Sequence, residues 1–558
     1  MADLPIPAPS SRKLLGQQLL ISISIFASLG VFLFGYDQGV MSGIITGPHF
    51  RKYFGNPDAV SIGTMVAVLE IGAFITSAAA GRIGDIVGRK GTLFAGAIVF
   101  TVGGAVQTFT TGFSTMIVGR VISGFGVGLL SYVFAKPERG AACTERAPVL
   151  SFRYTKVKSH RPTILYGIHD EYSGVGHSQS IADAHLTFLS STSYSSSVWM
   201  DYFCSFIDSD LSWRVPLFMQ CVIGAILAAG ALLIPERFIF PDTDKDAEGF
   251  RILVDLHGGN PDNDTAIAEF KEIKDRVMEE RASGVARSYY EMWKRYKRRV
   301  LLAMSSQAFA QLNGINVISY YAPRVFEEAG WIGRDAILMT GINSLIYILS
   351  TIPPWYLVDR WGRRPILLSG AVIMAISLTA TGWWMYIDVP RTPNAVVICV
   401  IIYNAAFGYS WGPLPWLYPP EIMPLTIRAK GVSLSTSTNW AFNFLVGEVT
   451  PELQELITWR LYPMHGFFCV CSFILVYFLY PETKGVPLEE MDFVFGEDER
   501  EEREENADDD DDDGEDEIVD ENTSLLSASG NGGSRKTHRK KGWFGIFKRR
   551  PTSGEQLA

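Results

Sequence analysis

Three ionisable residues sit inside long apolar stretches of this chain: Asp37, Glu70 and Arg120. Charge within a membrane-spanning segment is costly, so such residues mark either a working site or a pair that holds helices together. Asp37 and Arg120 have the signs of a carboxylate–guanidinium pair. In a low-dielectric cavity a carboxylate of that kind takes up a proton when its partner moves away. That is an element for proton coupling, with a static charge pair as the plain alternative. Glu70 has no evident partner in the sequence.

Neutral amides form the second group. Gln307 and Gln311 share a helix face at i, i+4 and are followed by Asn313, Gly314 and Asn316; Asn439 and Asn443 repeat the i, i+4 spacing. An amide offers donors and acceptors together, as a neutral polyhydroxylated ligand requires, although interhelical hydrogen bonding is an ordinary use of Asn and Gln in membranes. Gly314 loosens its helix, as expected of a discontinuous, substrate-gating segment. Gly412-Pro413-Leu414-Pro415-Trp416 breaks another helix and presents an indole, either a platform for the C–H face of a sugar or a packing residue.

These residues must be positioned by membrane helices. The chain has 558 residues, is 47% hydrophobic and has a mean hydropathy of +0.14. Eleven windows have the length needed to cross a hydrocarbon core: Ile21–Ile44, Val60–Ala80, Thr92–Phe109, Ser114–Val133, Trp213–Ile234, Val300–Tyr321, Ile337–Val358, Pro365–Tyr386, Ala395–Leu417, Val432–Val449 and Pro463–Leu479. The first is too long for a cleavable signal and no small-residue cleavage site follows it. The six cysteines show no CxxC and read as small apolar residues.

Asp85-Ile86-Val87-Gly88-Arg89-Lys90 recurs as Asp359-Arg360-Trp361-Gly362-Arg363-Arg364. Such a repeat predicts two related bundles. These loops suit gating: Arg82, Asp85 and Arg89 in the first half, and Asp359 and Arg363 with Glu421 and Arg428 in the second, could close the cytoplasmic side through ion pairs. A role in topology alone is the simpler reading. The formal net charge of −10 says nothing about a substrate, because Glu497–Glu521 alone contributes −16 and the rest of the chain is +6.

Basic loops at Arg82–Lys90, Lys294–Arg299, Asp359–Arg364 and Arg535–Arg550 are expected in the cytoplasm. Eleven spans cannot satisfy them all; another between 135 and 212 is required. Phe134–Asp210 shows no apolar run of that length, contains a Ser-rich stretch and carries four of the eight histidines (His160, His169, His177, His185) without a metal-ligand spacing. Its composition suggests translated intron, frameshifted sequence or a lineage-specific replacement. The expected organisation is an N-terminal cytoplasmic segment 1–17, a bundle over 18–235 with 134–210 aberrant, a cytoplasmic helical linker 236–299, a second bundle 300–482 and a disordered cytoplasmic tail 483–558. Asn263-Asp264-Thr265 matches a glycosylation sequon, but on a cytoplasmic loop it is not expected to be used.

Taken in order, Phe34–Gly39, Gly81–Lys90, Gly119-Arg120 with Gly124-x-Gly126-x-Gly128, Gln307–Tyr321, Asp359–Arg364, Gly412–Gly431, Asn439–Phe444 and Pro481–Gly485 resemble the sugar porter family of the major facilitator superfamily, in particular fungal monosaccharide transporters. The likeness covers roughly 15–133 and 211–495. It implies an all-α membrane protein of twelve helices in two six-helix bundles, working by alternating access around a central sugar site. It implies Asp37 and Arg120 as the proton-coupling pair. Phe34, Gln311, Asn316, Trp416 and Asn439 fall on sugar-contacting positions, with Gln307, Tyr321 and Asn443 as near neighbours. Ala310 replaces an adjacent family glutamine. After Val133 the family's Pro-x-Tyr-x-x-Glu…Arg-Gly loop and glutamine-bearing fifth helix are not recognisable, although the second half carries the matching Glu421-x-x-Pro424…Arg428. Arg237–Phe240 also departs from the family's Ser-Pro-Arg after Glu236.

In the acidic, then Ser/Gly, then basic tail, Glu521–Leu526 fits the dileucine form read by sorting adaptors, a pattern that also arises by chance. Lys540–Arg550 mixes aromatics with cations and could rest on an anionic leaflet. The expected function is monosaccharide transport by proton symport in a multi-pass, plasma-membrane protein. Uniport, a non-transporting sugar sensor and a defective product are the alternatives. The expected partners are a monosaccharide, protons, the lipid bilayer and a sorting adaptor, with no nucleic acid, no metal, no cofactor and no enzymatic activity.

Overall fold

The apolar windows become helices, and glycines, prolines and polar breaks set where they stop. The computed structural model describes residues 16–135, 175–233, 289–424, 427–486 and 491–496, with parts of 250–274. The side chains of 16–27 and 175–186, and those of Arg82, Asp85 and Arg89, lie outside that description, as do the tail motifs at Glu521–Leu526 and Lys540–Arg550. The described residues belong to one unit spanning Met1–Gly496.

Among the described residues the elements are helical, without strands. The first half comprises α1 (Gly16–Ile44), the short α2 (Pro48–Tyr53), α3 (Ala59–Val87), α4 (Arg89–Thr108), α5 (Phe113–Ala135), α6 (Val175–Cys204) and α7 (Leu211–Leu233). In the second half are α8 (Tyr289–Leu312), α9 (Ile315–Glu328), α10 (Arg334–Ser350), α11 (Pro354–Trp361), α12 (Arg363–Ile387), α13 (Thr392–Tyr409), α14 (Leu414–Ile422), α15 (Arg428–Ile457) and α16 (Leu461–Leu479), then the short α17 (Met491–Phe495). In the linker, Phe250, Leu253, Val254 and Phe270 form a small buried cluster.

By length and composition, seven described helical stretches can cross a membrane, or eight with α10 and α11 counted as one span bent by 43°. Nine of the eleven windows fall in these stretches; Ile21–Ile44 lies in α1 and Val300–Tyr321 in α8 and α9, which are not among them. Val432–Val449 and Pro463–Leu479 fall in one apolar stretch, Lys430–Leu479. Val300–Tyr321 is two helices, because Gly314 adopts φ +97° between α8 and α9. Ala395–Leu417 divides at Ser410 into α13 and α14. Outward faces carry exposed Phe74, Ile75, Ile376, Phe467 and Phe478, the placement a lipid solvent favours.

The main correction is α6. The sequence shows no span in Phe134–Asp210, yet a 30-residue helix occupies Val175–Cys204 and packs on α1, α7 and α10. It hides from a hydropathy reading because its described face meets protein, not lipid. The hydroxyls of Ser191 and Thr192 bond back to the Phe188 carbonyl (2.9 and 2.7 Å), and those of Ser196 and Ser197 to Thr192 and Tyr194 (2.8 and 2.7 Å). Ser193 donates to the Phe32 carbonyl of α1. Hydroxyls paired this way are tolerated at membrane depth. On α1, Gly35, Gly39 and Gly43 make the contact possible: a Cβ at these positions would lie 2.2 Å from Ser190 O, 2.0 Å from Ser197 Oγ and 2.5 Å from Asp201 Cβ. α6 lies between 135 and 212, where the positive-inside pattern calls for one more span, although by composition it is not among the stretches apolar enough to cross a membrane.

Two seams join the halves. Along α6 and α10, Ser195 Oγ lies 2.7 Å from Ser344 Oγ and Arg334 donates to the Ser205 carbonyl at 3.2 Å. Along α3 and α15, Ser433 donates to the Ser77 carbonyl (2.7 Å), Ser77 and Ser437 hydroxyls are 3.1 Å apart, and Thr64 donates to Glu448 (2.7 Å).

Candidate functional site

The break after α8 creates the amide site. Its freed carbonyls are satisfied: His465 Nδ1 reaches Leu312 O at 2.8 Å, and Tyr403 donates to Asn313 O at 3.0 Å. Irregular backbone survives at membrane depth only with such partners. Around the break, Asn316 Nδ2 donates to Gln311 Oε1 (2.8 Å), and Gln311 Nε2 donates to Asn439 Oδ1 (2.6 Å). All three residues are buried. Gln307 Nε2 donates to the Pro415 carbonyl at 2.7 Å, beside half-buried Trp416, and Gln307 Oε1 has no partner among the described residues. Phe34 of α1 meets the Trp440 ring edge-on at 5.4 Å, next in sequence to Asn439. Asn443 is reached by the Tyr320 hydroxyl at 3.1 Å. Tyr321 instead donates to the Gly447 carbonyl (2.7 Å), tying α9 to α15.

The charges lie in the first half. Arg120 Nη1 is 3.7 Å from Asp37 Oδ1, beyond a hydrogen bond, and both side chains are 3% exposed. The firmer bond of Arg120 is from Nη2 to the Val66 carbonyl, 2.8 Å. Thus α1, α3 and α5 meet at a buried pair that is engaged electrostatically and not locked bidentately. Glu70, on α3, accepts a 2.8 Å hydrogen bond from Tyr320 of α9.

At the basic end, Arg363 grips Glu421 through Nη2–Oε1 (2.6 Å) and Nε (3.1 Å to each oxygen), and lies 3.6 Å from Asp359. Thr483 donates to Glu421 at 2.7 Å. Glu482 accepts the backbone N–H groups of Arg363 and Arg364 (2.9 and 3.0 Å), satisfying the head of α12 with a carboxylate. Gly362, at φ +93°, admits that carboxylate. Arg428 Nε donates to the Met423 carbonyl at 3.1 Å. The described pairs therefore lie within the second half; Arg82, Asp85 and Arg89 fall outside the described side chains. At the opposite end, a cavity of about 680 Å³ is lined by Arg51, Asp58, Arg324, Glu327, Glu328 and Glu455, with Arg324 on Glu455 at 2.9 Å.

Sequence reasoning missed Tyr320, Trp440 and Asp201. Tyr320 follows Asn316 by one helical turn, so i, i+4 spacing could have placed it on the same face. Buried Asp201 accepts the Gly43 N–H at 3.2 Å; it lay in a stretch not read as a span. Among the described residues no group of three metal-ligating side chains occurs. His160, His169 and Cys143 lie outside the described residues, and of His177 and His185 only the backbone is described.

Two helical bundles joined along paired seams, a helix broken over a buried polar site and a repeated basic signature define a multi-pass membrane transporter of the major facilitator type. The Sugar (and other) transporter family profile matches residues 23–135 and 194–495, and the chain belongs to that family. The match resumes at 194, earlier than the 211 read from the sequence, so the end of α6 is family sequence. The chain is 29% identical to the MFS-type transporter criB of Aspergillus cristatus, over 87% of this chain and 95% of the relative. It is 30% identical to a high-affinity glucose transporter of Kluyveromyces lactis, over 84% of each. The fold matches the proton:xylose symporter XylE bound to 6-bromo-6-deoxy-D-glucose, with TM-score 0.67 and 24% identity over 85% of this chain and 98% of XylE.

Proposed function

We propose that this protein carries a monosaccharide, a hexose or pentose, across the plasma membrane by alternating access in symport with a proton. The observation that carries this reading is the buried Asp37–Arg120 pair at 3.7 Å in one half together with the buried Asn316–Gln311–Asn439 amide chain in the other. Asp37 takes up the proton as Arg120 falls back on the Val66 carbonyl. Phe34, Gln307, Gln311, Asn316, Trp416, Asn439 and Asn443 hold the sugar, the amides by exchanging their mutual hydrogen bonds for hydroxyls. Tyr321, bonded to Gly447, fixes the broken helix. On the cytoplasmic side, Arg363–Glu421 holds the second-half gate, with Asp359 and Arg428 beside it. Arg82, Asp85 and Arg89 are the first-half counterparts by repeat. A sorting adaptor at Glu521–Leu526 is part of this proposal on sequence grounds.

The test is sugar addition to weakly buffered cells expressing the full chain in a sugar-transport-deficient host. Uptake with alkalinisation of the medium is the expected result. Uptake without alkalinisation would make the protein a uniporter, and signalling without uptake would make it a sensor.

A further inference from the structure

Glu70, Tyr320 and Asn443 form a chain across the two halves. The Tyr320 oxygen lies 2.8 Å from Glu70 Oε1 and 3.1 Å from Asn443 Oδ1, and all three residues are buried. A phenol has one hydrogen, so Tyr320 cannot donate to two acceptors at once. The chain is fully paired in only two ways. With Glu70 ionised, Tyr320 donates to the carboxylate and its oxygen accepts from the Asn443 amide nitrogen. With Glu70 protonated, the carboxyl donates to the phenol oxygen and Tyr320 donates to the Asn443 amide oxygen. The two amide orientations are isosteric, so the exchange needs only a side-chain flip.

We propose that Glu70 is a second proton-responsive group of the transport cycle, a positioning residue that acts through Tyr320 to set whether Asn443 turns its amide nitrogen or its oxygen toward the sugar. This rests on the reading of the protein as a sugar transporter and adds to it. One proton on Glu70 exchanges donor for acceptor at one corner of the amide site. Tyr320 lies on broken α9, so the relay exists only while α9 is docked on α3. The switch is thereby tied to the position of that segment in which Tyr320 reaches Glu70.

The groups facing Glu70 are known. Asp37 of α1 and Arg120 of α5 act on it electrostatically, and α9 contributes Tyr320. From α15 come neutral Asn443 and, further along, Glu448, which is occupied by Thr64. The test must therefore separate Glu70 from Asp37.

The experiment is equilibrium exchange of labelled D-glucose and D-xylose in proteoliposomes of the full chain, at equal pH on both sides, from pH 5 to 8. It is run on the wild type, Asp37→Asn, and Asp37→Asn combined with Glu70→Gln. The half-saturating sugar concentration is expected to shift severalfold with pH in the wild type and in Asp37→Asn. Glu70→Gln, whose amide N–H imitates the protonated acid, should hold it at the low-pH value throughout. Tyr320→Phe, which removes only the bridging hydroxyl, should flatten the same profile and guards against a folding defect in the first variant. A pH profile that survives Glu70→Gln, or one already flat in Asp37→Asn, overturns the proposal while transport stands. Absence of any sugar exchange by the wild type overturns the transport reading, and this proposal with it.

Discussion

The two halves place different chemistry at the same interface. In the first, α1, α3 and α5 bring together Asp37, Glu70 and Arg120, three ionisable groups each at most 3% exposed. In the second, α8, α9 and α15 present Gln311, Asn316 and Asn439, neutral and linked by hydrogen bonds of 2.6–2.8 Å. Charge in a low-dielectric site responds to protons, whereas neutral amides respond to hydroxyls and scarcely to pH. The division lets one half sense the driving ion while the other holds the sugar, with Tyr320 bridging the two through Glu70 and Asn443.

Four substitutions break or sharpen this contrast. Gly39→Val should have the largest effect. It drives a side chain into Ser197 and Tyr194 of α6 and displaces the segment of α1 that carries Asp37. Overpacking of that kind costs about 3 kcal/mol or more, and detergent thermostability should fall steeply. Gln311→Ala comes next. It leaves Asn316 and Asn439 without their shared partner, a loss of about 1–3 kcal/mol. Sugar affinity should drop roughly 10- to 100-fold while the number of protons moved per sugar is unchanged; an altered proton ratio would blur the division between the halves. Trp416→Ala should weaken affinity by about 0.5–1.5 kcal/mol if the indole stacks on the sugar, and an unaltered half-saturation would make it a packing residue. Ser195→Ala removes one neutral bond from the α6–α10 seam. At about 0.6 kcal/mol it should lower stability slightly and leave both proton and sugar responses intact.

Much of this arrangement was legible in the sequence because strong physical signals carry it. The repeated Asp-x-x-Gly-Arg-basic loops announced two bundles, and intramembrane Asp37 and Arg120 were found 3.7 Å apart. Gly314 predicted the break, which its φ of +97° makes. The amides at i, i+4 pointed to a shared face, although the closest bonding runs from Asn316 through Gln311 to Asn439 across two helices. What the sequence concealed was α6. Hydropathy detects helices that face lipid, and the described part of α6 packs against α1, α7 and α10, so its serines spend their hydroxyls on carbonyls and on a hydroxyl of α10. The glycines at 35, 39 and 43 were a legible trace of that missing neighbour, since a small residue every four positions on one helix requires another pressed against it. Tyr320 was hidden differently: its role depends on two partners 250 and 123 positions away.

The most direct test of the division between the halves is Asp37→Asn in proteoliposomes, comparing sugar accumulation driven by an imposed pH gradient with sugar exchange at equal pH. The account predicts that accumulation is abolished while exchange continues, because the amide site does not contain Asp37. Accumulation that persists unchanged in Asp37→Asn would contradict it, and would remove the Asp37–Arg120 pair from proton coupling.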